Sequence, residues 1–84
     1  MKNTELKTTI QNTLTGAVRE DARIEYTQCG NGYCVCIRVP HLNQLTGRTE
    51  YSLPTTFKAW GIQSEQSIRR TVAEFLRCNK HLAA

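Results

Sequence analysis

Tyr33-Cys34-Val35-Cys36-Ile37-Arg38-Val39 is the stretch that decides the fold. In an extended chain Tyr33, Val35, Ile37 and Val39 fall on one side, and Cys34, Cys36 and Arg38 fall on the other. Strict alternation of this kind marks a half-buried strand, one face on a core and the other bare. Upstream, Cys29-Gly30-Asn31-Gly32 reads as a tight turn, because Asn-Gly favours the left-handed dihedrals of short hairpins. Before the turn, Arg23-Ile24-Glu25-Tyr26-Thr27 alternates again, with Ile24 and Tyr26 inward. The two runs predict an antiparallel hairpin.

Downstream, Pro40 ends the pairing, since proline cannot donate to a ladder. His41 to Arg48 reads as a longer connection bent at Gly47. Thr49-Glu50-Tyr51-Ser52-Leu53 then predicts the third strand, with Tyr51 and Leu53 inward and Glu50 and Ser52 outward. Pro54 stops it. Thr55 to Ile62 reads as an irregular arm, with Phe57 and Trp60 plugging the end of the core.

Helices flank the sheet on both sides in sequence. Ser64 suits an N-cap and Glu65 the first turn. Ile68, Val72, Phe75 and Leu76 then share one face of a helix expected over 65–80. Leu6, Ile10, Leu14 and Val18 recur every four residues and predict a second helix over 4–18. Thr8, Thr9, Thr13 and Thr15 are poor helix formers, so that helix needs something to dock on. The expected fold is α+β in the order αβββα. It is one domain over 1–84, with a three-stranded antiparallel sheet across 23–53 and the C-terminal helix on one sheet face. Val35, Ile37, Tyr51, Leu53, Ile68, Val72 and Phe75 form its expected core.

An 84-residue chain buries only about 60–65% of its unfolded surface, so its core is thin. No apolar run is long enough to cross a bilayer. Met1-Lys2-Asn3-Thr4-Glu5 lacks a signal-peptide core, and a cytoplasmic location is expected. Cys29, Cys34, Cys36 and Cys78, with His41 and His81, permit a mixed Cys/His metal site on paper. The alternation of Cys34 and Cys36 with Val35 and Ile37 favours ordinary strand residues, because free cysteine behaves as a small hydrophobe. Four free thiols, no metal and no cofactor are expected.

The chain has 11 Lys+Arg and 7 Asp+Glu, a net charge of +4. Residues 1–37 are balanced, with Lys2, Lys7, Arg19 and Arg23 against Glu5, Glu20, Asp21 and Glu25. The whole excess lies after Ile37, where Arg38, Arg48, Lys58, Arg69, Arg70, Arg77 and Lys80 face only Glu50, Glu65 and Glu74. Local basic excess attracts phosphate without regard to base sequence.

Three stretches carry a resemblance. They are Asn31-Gly32-Tyr33-Cys34-Val35-Cys36-Ile37-Arg38, then Gly47-Arg48-Thr49-Glu50-Tyr51-Ser52-Leu53, and Phe57-Lys58-Ala59-Trp60-Gly61. The helix through Ala73, Glu74, Phe75 and Leu76 follows them. Together they resemble the three-strand-plus-helix DNA-binding domain of plant ethylene-response factors. They resemble more closely the arm-site-binding N-terminal domain of phage tyrosine integrases and related mobile-element proteins. The resemblance implies a small non-catalytic protein of phage or mobile-element type, whose bare sheet face enters a duplex DNA groove. Carried over, Arg23, Arg38, Arg48, Glu50, Ser52 and Lys58 would make the contacts.

The N-terminal helix opens a rival, since helix, three strands and helix is also the order of double-stranded-RNA-binding domains. Those carry lysines at the start of the second helix, where this chain has Glu65, Gln66 and Ser67. A third class is a phage-type effector or inhibitor, of the anti-defence or anti-CRISPR kind, that covers a host protein. For an enzyme the residues are wrong: there is no nucleophile elbow, no glycine loop and no acid pair in a cleft.

Overall fold

The computed structural model describes residues 1–84. It is α+β, with a helix at each end of the chain and an antiparallel sheet between them. Helix α1 spans Asn3–Leu14. Strands β1 (Arg23–Cys29), β2 (Gly32–Arg38), β3 (Pro40–Asn43), β4 (Arg48–Tyr51) and β5 (Thr55–Trp60) follow. Helix α2 spans Glu65–Cys78, and a 3-10 turn over Lys80–Leu82 closes the chain.

The main sheet has the order β1-β2-β5. β1 and β2 pair as the alternation predicts, with Ile24 opposite Ile37 and Tyr26 opposite Val35. The turn is shifted by one residue from the expected Asn-Gly. Cys29 pairs with Gly32, which leaves Gly30 and Asn31 at the centre, and Gly30 takes the left-handed conformation at φ 57°. Glycine at the first central position is one of the two favoured short-hairpin geometries.

The third strand differs from the sequence expectation. β2 pairs on its far side with Thr55–Trp60, the segment read as an irregular arm, with Val35 opposite Phe57 and Tyr33 opposite Ala59. The segment read as the third strand pairs with β3 instead, Pro40 opposite Tyr51 and Asn43 opposite Arg48. Pro40 therefore opens a second hairpin rather than ending pairing. This β3–β4 hairpin stands off the body, and almost all of its residues are exposed. The molecule accordingly measures 45 × 22 × 17 Å. At the base of the hairpin the Ser52 N–H donates to the Val39 carbonyl at 2.9 Å, and the Val39 N–H donates to Ser52 Oγ at 3.1 Å.

Tyr51 and Leu53 consequently lie outside the core; Leu53 is 86% exposed. Phe57 and Ala59 take their places. The Phe57 ring sits 4.7 Å from that of Phe75, tilted by 48°. Val35, Ile37, Ile68 and Val72 are buried as expected, and Phe75 packs on them half-buried. Trp60 does not plug the core. It alternates with Ala59 and so emerges on the opposite face.

Helix α1 docks on its own sheet. Leu6, Ile10 and Leu14 are buried beside Ile68 and Val72, and Lys7 lies 5.6 Å over the Tyr26 ring. The helix stops four residues before the expected end, because Gly16 turns left-handed at φ 79°. Val18 reaches the core in extended backbone, bridged to Ala83. The Arg19 N–H donates to Leu82 O, and the Ala84 N–H donates to Ala17 O, which tie the C-terminal turn beneath α1.

Helix α2 begins at the predicted cap, where the Ser67 N–H donates to Ser64 Oγ at 3.1 Å. Gln63 joins it to the sheet. Its Oε1 accepts from the Trp60 N–H at 2.7 Å, and its Nε2 donates to Ser67 Oγ and Thr71 Oγ1. Both helices thus cover one sheet face and leave the other bare. No helix is long and apolar enough to cross a membrane.

Candidate nucleic-acid interface

Register places the open face residue by residue. Arg23 stands opposite Arg38 at the end nearest the β3–β4 arm. Glu25, Cys36 and Thr56 form the next rung, and Thr27, Cys34 and Lys58 the third. Cys29, Gly32 and Trp60 form the last, beside the β1–β2 turn. Same-face residues along a strand are about 6.6 Å apart, so the four rungs span roughly 20 Å. Three strand axes cover about 10 Å across, against a major groove about 12 Å wide.

Ion pairs engage three of the arginines and leave the cations of the sheet face, together with Lys7 on α1 and Arg70 on α2, without an acidic partner. Arg19 pairs with Asp21 at 2.8 Å, Arg69 with Glu65 at 2.7 Å, and Arg77 with Glu74. Glu74 is held below the usual carboxylate range by the hydrogen bond from Arg77. These are the ion pairs of the molecule, and none involves Arg23, Arg38, Arg48 or Lys58. Arg23 and Arg38 are moreover directly cross-strand. Like charges so placed weaken a sheet. The Arg23 guanidinium lies 4.0 Å over the Tyr51 ring, so an aromatic face of the arm takes the place of an acid.

Of the residues expected to make contacts, Arg23, Arg38 and Lys58 share the open face. Arg48 and Glu50 are on the arm, a consequence of the different third strand. Glu50 accepts from Asn43 Nδ2 at 3.2 Å across the arm. Ser52 is half-buried and its hydroxyl is engaged by the Val39 N–H, so it belongs to the arm's base rather than to a reading surface. Trp60 is the open-face residue that the sequence reading placed elsewhere. Its signal was present, since Phe57, Lys58, Ala59 and Trp60 alternate apolar-inward as cleanly as the other strands.

Cys34 and Cys36 line the middle of the face, and Cys29 stands on its last rung. Cys29, Cys34 and Cys36 are half-buried, Cys78 is exposed on α2, and none is bridged. Burial pushes the Cys36 thiol up, and neighbouring Cys34 and Glu25 push it further. No group of three or more Cys, His, Asp or Glu side chains converges to hold a metal ion. The largest concavity lies away from this face, between the end of α1 and β1, where Leu14, Val18, Ala22 and Tyr26 line it together with Arg19 and Glu20.

Two helices on one face of a three-stranded sheet remain from the comparison with double-stranded-RNA-binding domains, but the β3–β4 hairpin is inserted between the second and third strands of that sheet. Here α2 opens with Glu65 ion-paired to Arg69, which keeps negative charge where such domains place lysines. No protein-family model matches the chain, and no curated protein or solved structure matches it either.

Proposed function

We propose that this protein binds duplex DNA, without catalysis, through the bare face of its β1-β2-β5 sheet and the adjoining arm. One observation carries the reading: Arg23 and Arg38 oppose each other on a solvent-facing sheet, and neither has an acidic partner. A phosphate held between the two guanidinium groups would offset their repulsion through charge-assisted hydrogen bonds. Lys58 on the third rung and Arg48 on the arm extend the track to four cations without an acidic partner, of which Arg23 is stacked on Tyr51. Arg69 and Arg77 are satisfied within α2 and contribute little.

A mobility-shift series on random duplex, from low to moderate salt, tests the reading. Four phosphate contacts give a slope of log affinity on log salt near about −3.6, from ~0.9 per phosphate. Arg38→Ala lowers that slope by about 1 if it meets phosphate; if it reads a guanine edge, it costs about 1–3 kcal/mol at one base position. Arg77→Ala changes neither. No shift on any duplex at low salt, or full binding by the Arg23→Ala/Arg38→Ala double variant, removes the proposal.

A second reading rests on different residues. Leu42 and Leu45 are exposed on the arm, Leu45 by 97%, which suits a protein partner of the effector kind. Replacing residues 41–50 by a short turn separates the two. Duplex binding then loses only the share of Arg48, whereas an arm-mounted protein site loses everything.

A further inference from the structure

We propose that Trp60 is a stacking platform for an unpaired nucleobase, so that the open face holds a junction of duplex and single strand rather than uninterrupted duplex. This rests on the nucleic-acid reading above and specifies its ligand.

The geometry begins at Gly32. Gly32 pairs with Trp60 across β2 and β5. A Cβ built on Gly32 would lie 2.5 Å from Trp60 Cε3 and 3.0 Å from Cζ3. The indole therefore rests directly on the backbone of the central strand, at the one open-face position of β2 that has no side chain. Neither helix covers this face and the arm leaves from the opposite end of the sheet; the chain's N-terminus comes near at Gly61, where the Met1 amino group donates to the Gly61 carbonyl. Trp60 keeps 39% of its surface exposed, although it is the largest side chain in the protein. The indole N–H donates to no protein group; the hydrogen bond at Trp60 is made by its backbone.

Charge completes the site. Lys58 is one rung away on the same strand and face, and Arg23 and Arg38 are three rungs, about 20 Å, from Trp60. A backbone can thus run from the arginines over Lys58 while a base meets the ring. Inside a continuous duplex each base has neighbours on both faces, and the ring has no surface to meet. An unpaired base exposes a π-face that stacks on an aromatic side chain in any sequence. The alternative role for the ring is to cover Gly32 alone, and that role has no ligand dependence.

Trp60 is the only tryptophan, so its fluorescence reports this position alone. The full chain is titrated at low salt with oligothymidine, a blunt duplex, and the same duplex carrying a single-stranded overhang. Oligothymidine and the overhang duplex quench the emission, and the blunt duplex leaves it unchanged. By anisotropy of labelled DNA, Trp60→Ala weakens the overhang duplex about 5- to 150-fold, the equivalent of one stacked base, and leaves the blunt duplex within twofold. Trp60→Phe retains most of the affinity. Trp60→Leu, which still covers Gly32, behaves like Trp60→Ala, so the loss does not come from unfolding. Absence of quenching by either single-stranded probe overturns the proposal, as does an equal loss on blunt and overhang duplexes. Blunt-duplex binding without quenching removes the stacking site and keeps the duplex reading. Quenching by oligothymidine without blunt-duplex binding does the reverse.

Discussion

Phe57→Ala and Leu53→Ala together decide which segment completes the main sheet. Phe57 is 8% exposed, faces Val35 across the ladder, and stacks 4.7 Å from Phe75. Truncating a buried phenylalanine costs about 3–5 kcal/mol, which includes the cavity it leaves. The lost tilted ring pair alone accounts for about 0.5–1.5 kcal/mol. An 84-residue domain has roughly 4–13 kcal/mol in total, so Phe57→Ala removes a large share of it. Leu53 is 86% exposed, and its truncation should fall within about 0.5 kcal/mol of zero. Urea unfolding followed by far-UV circular dichroism and Trp60 fluorescence gives both numbers. For a chain this size 1 kcal/mol shifts the melting temperature by about 4–8 °C, so the contrast also appears in a thermal scan. If Leu53→Ala costs as much as Phe57→Ala, then Thr49–Leu53 is the strand beside β2, and the register described here is wrong.

Three further outcomes follow from the packing. Leu6→Ala, at a fully buried position on the inner side of α1, costs about 2–5 kcal/mol in the same unfolding assay; a neutral result means that α1 does not dock on its own sheet. Gly32→Ala forces a methyl against the Trp60 ring and to 2.7 Å from the Ala59 carbonyl. It destabilises by about 1–3 kcal/mol, and Trp60→Ala in the same chain rescues only part, because the backbone clash remains. In timed alkylation with mass readout, Cys78 reacts first and Cys36 last, and the Cys36 rate keeps rising above the pH at which an ordinary thiol levels off. The raised pKa leaves Cys36 protonated in the fold when it is ionised in the unfolded chain. Its contribution to stability is therefore complete below the unfolded pKa and is lost as pH rises through the folded one. Equal rates for Cys36 and Cys78 at pH 8 contradict that environment.

What the sequence determined by itself is whatever local chemistry controls. The alternation of Ile24 and Tyr26, then Val35 and Ile37, identified the first hairpin, and Gly30 and Asn31 only had to shift the turn by one residue. Ser64 marked the start of α2, and the spacing of Ile68, Val72 and Phe75 marked its buried face. The pairing of Arg69 with Glu65 and of Arg77 with Glu74 within α2 emerged only in the structure. Arg23 and Arg38 came out on the open face because period two leaves no other side for them.

Tertiary structure alone chose the partner for the far edge of β2. Thr49–Leu53 and Thr55–Trp60 both alternate, and both are bounded by turns, so strand propensity does not separate them. Only one can occupy the edge, and the winner is the one whose inward side chains fit beneath α2. Phe57 meets Phe75, and Ala59 is small enough to be fully buried opposite Tyr33. That is a question of volume between segments distant in sequence, and no single strand carries the answer. The same choice released Tyr51 to meet Arg23, projected Arg48 and Leu45 on an arm, and brought Trp60 down onto Gly32. The cations were legible one by one, but the surface they share depends on which strands stand side by side.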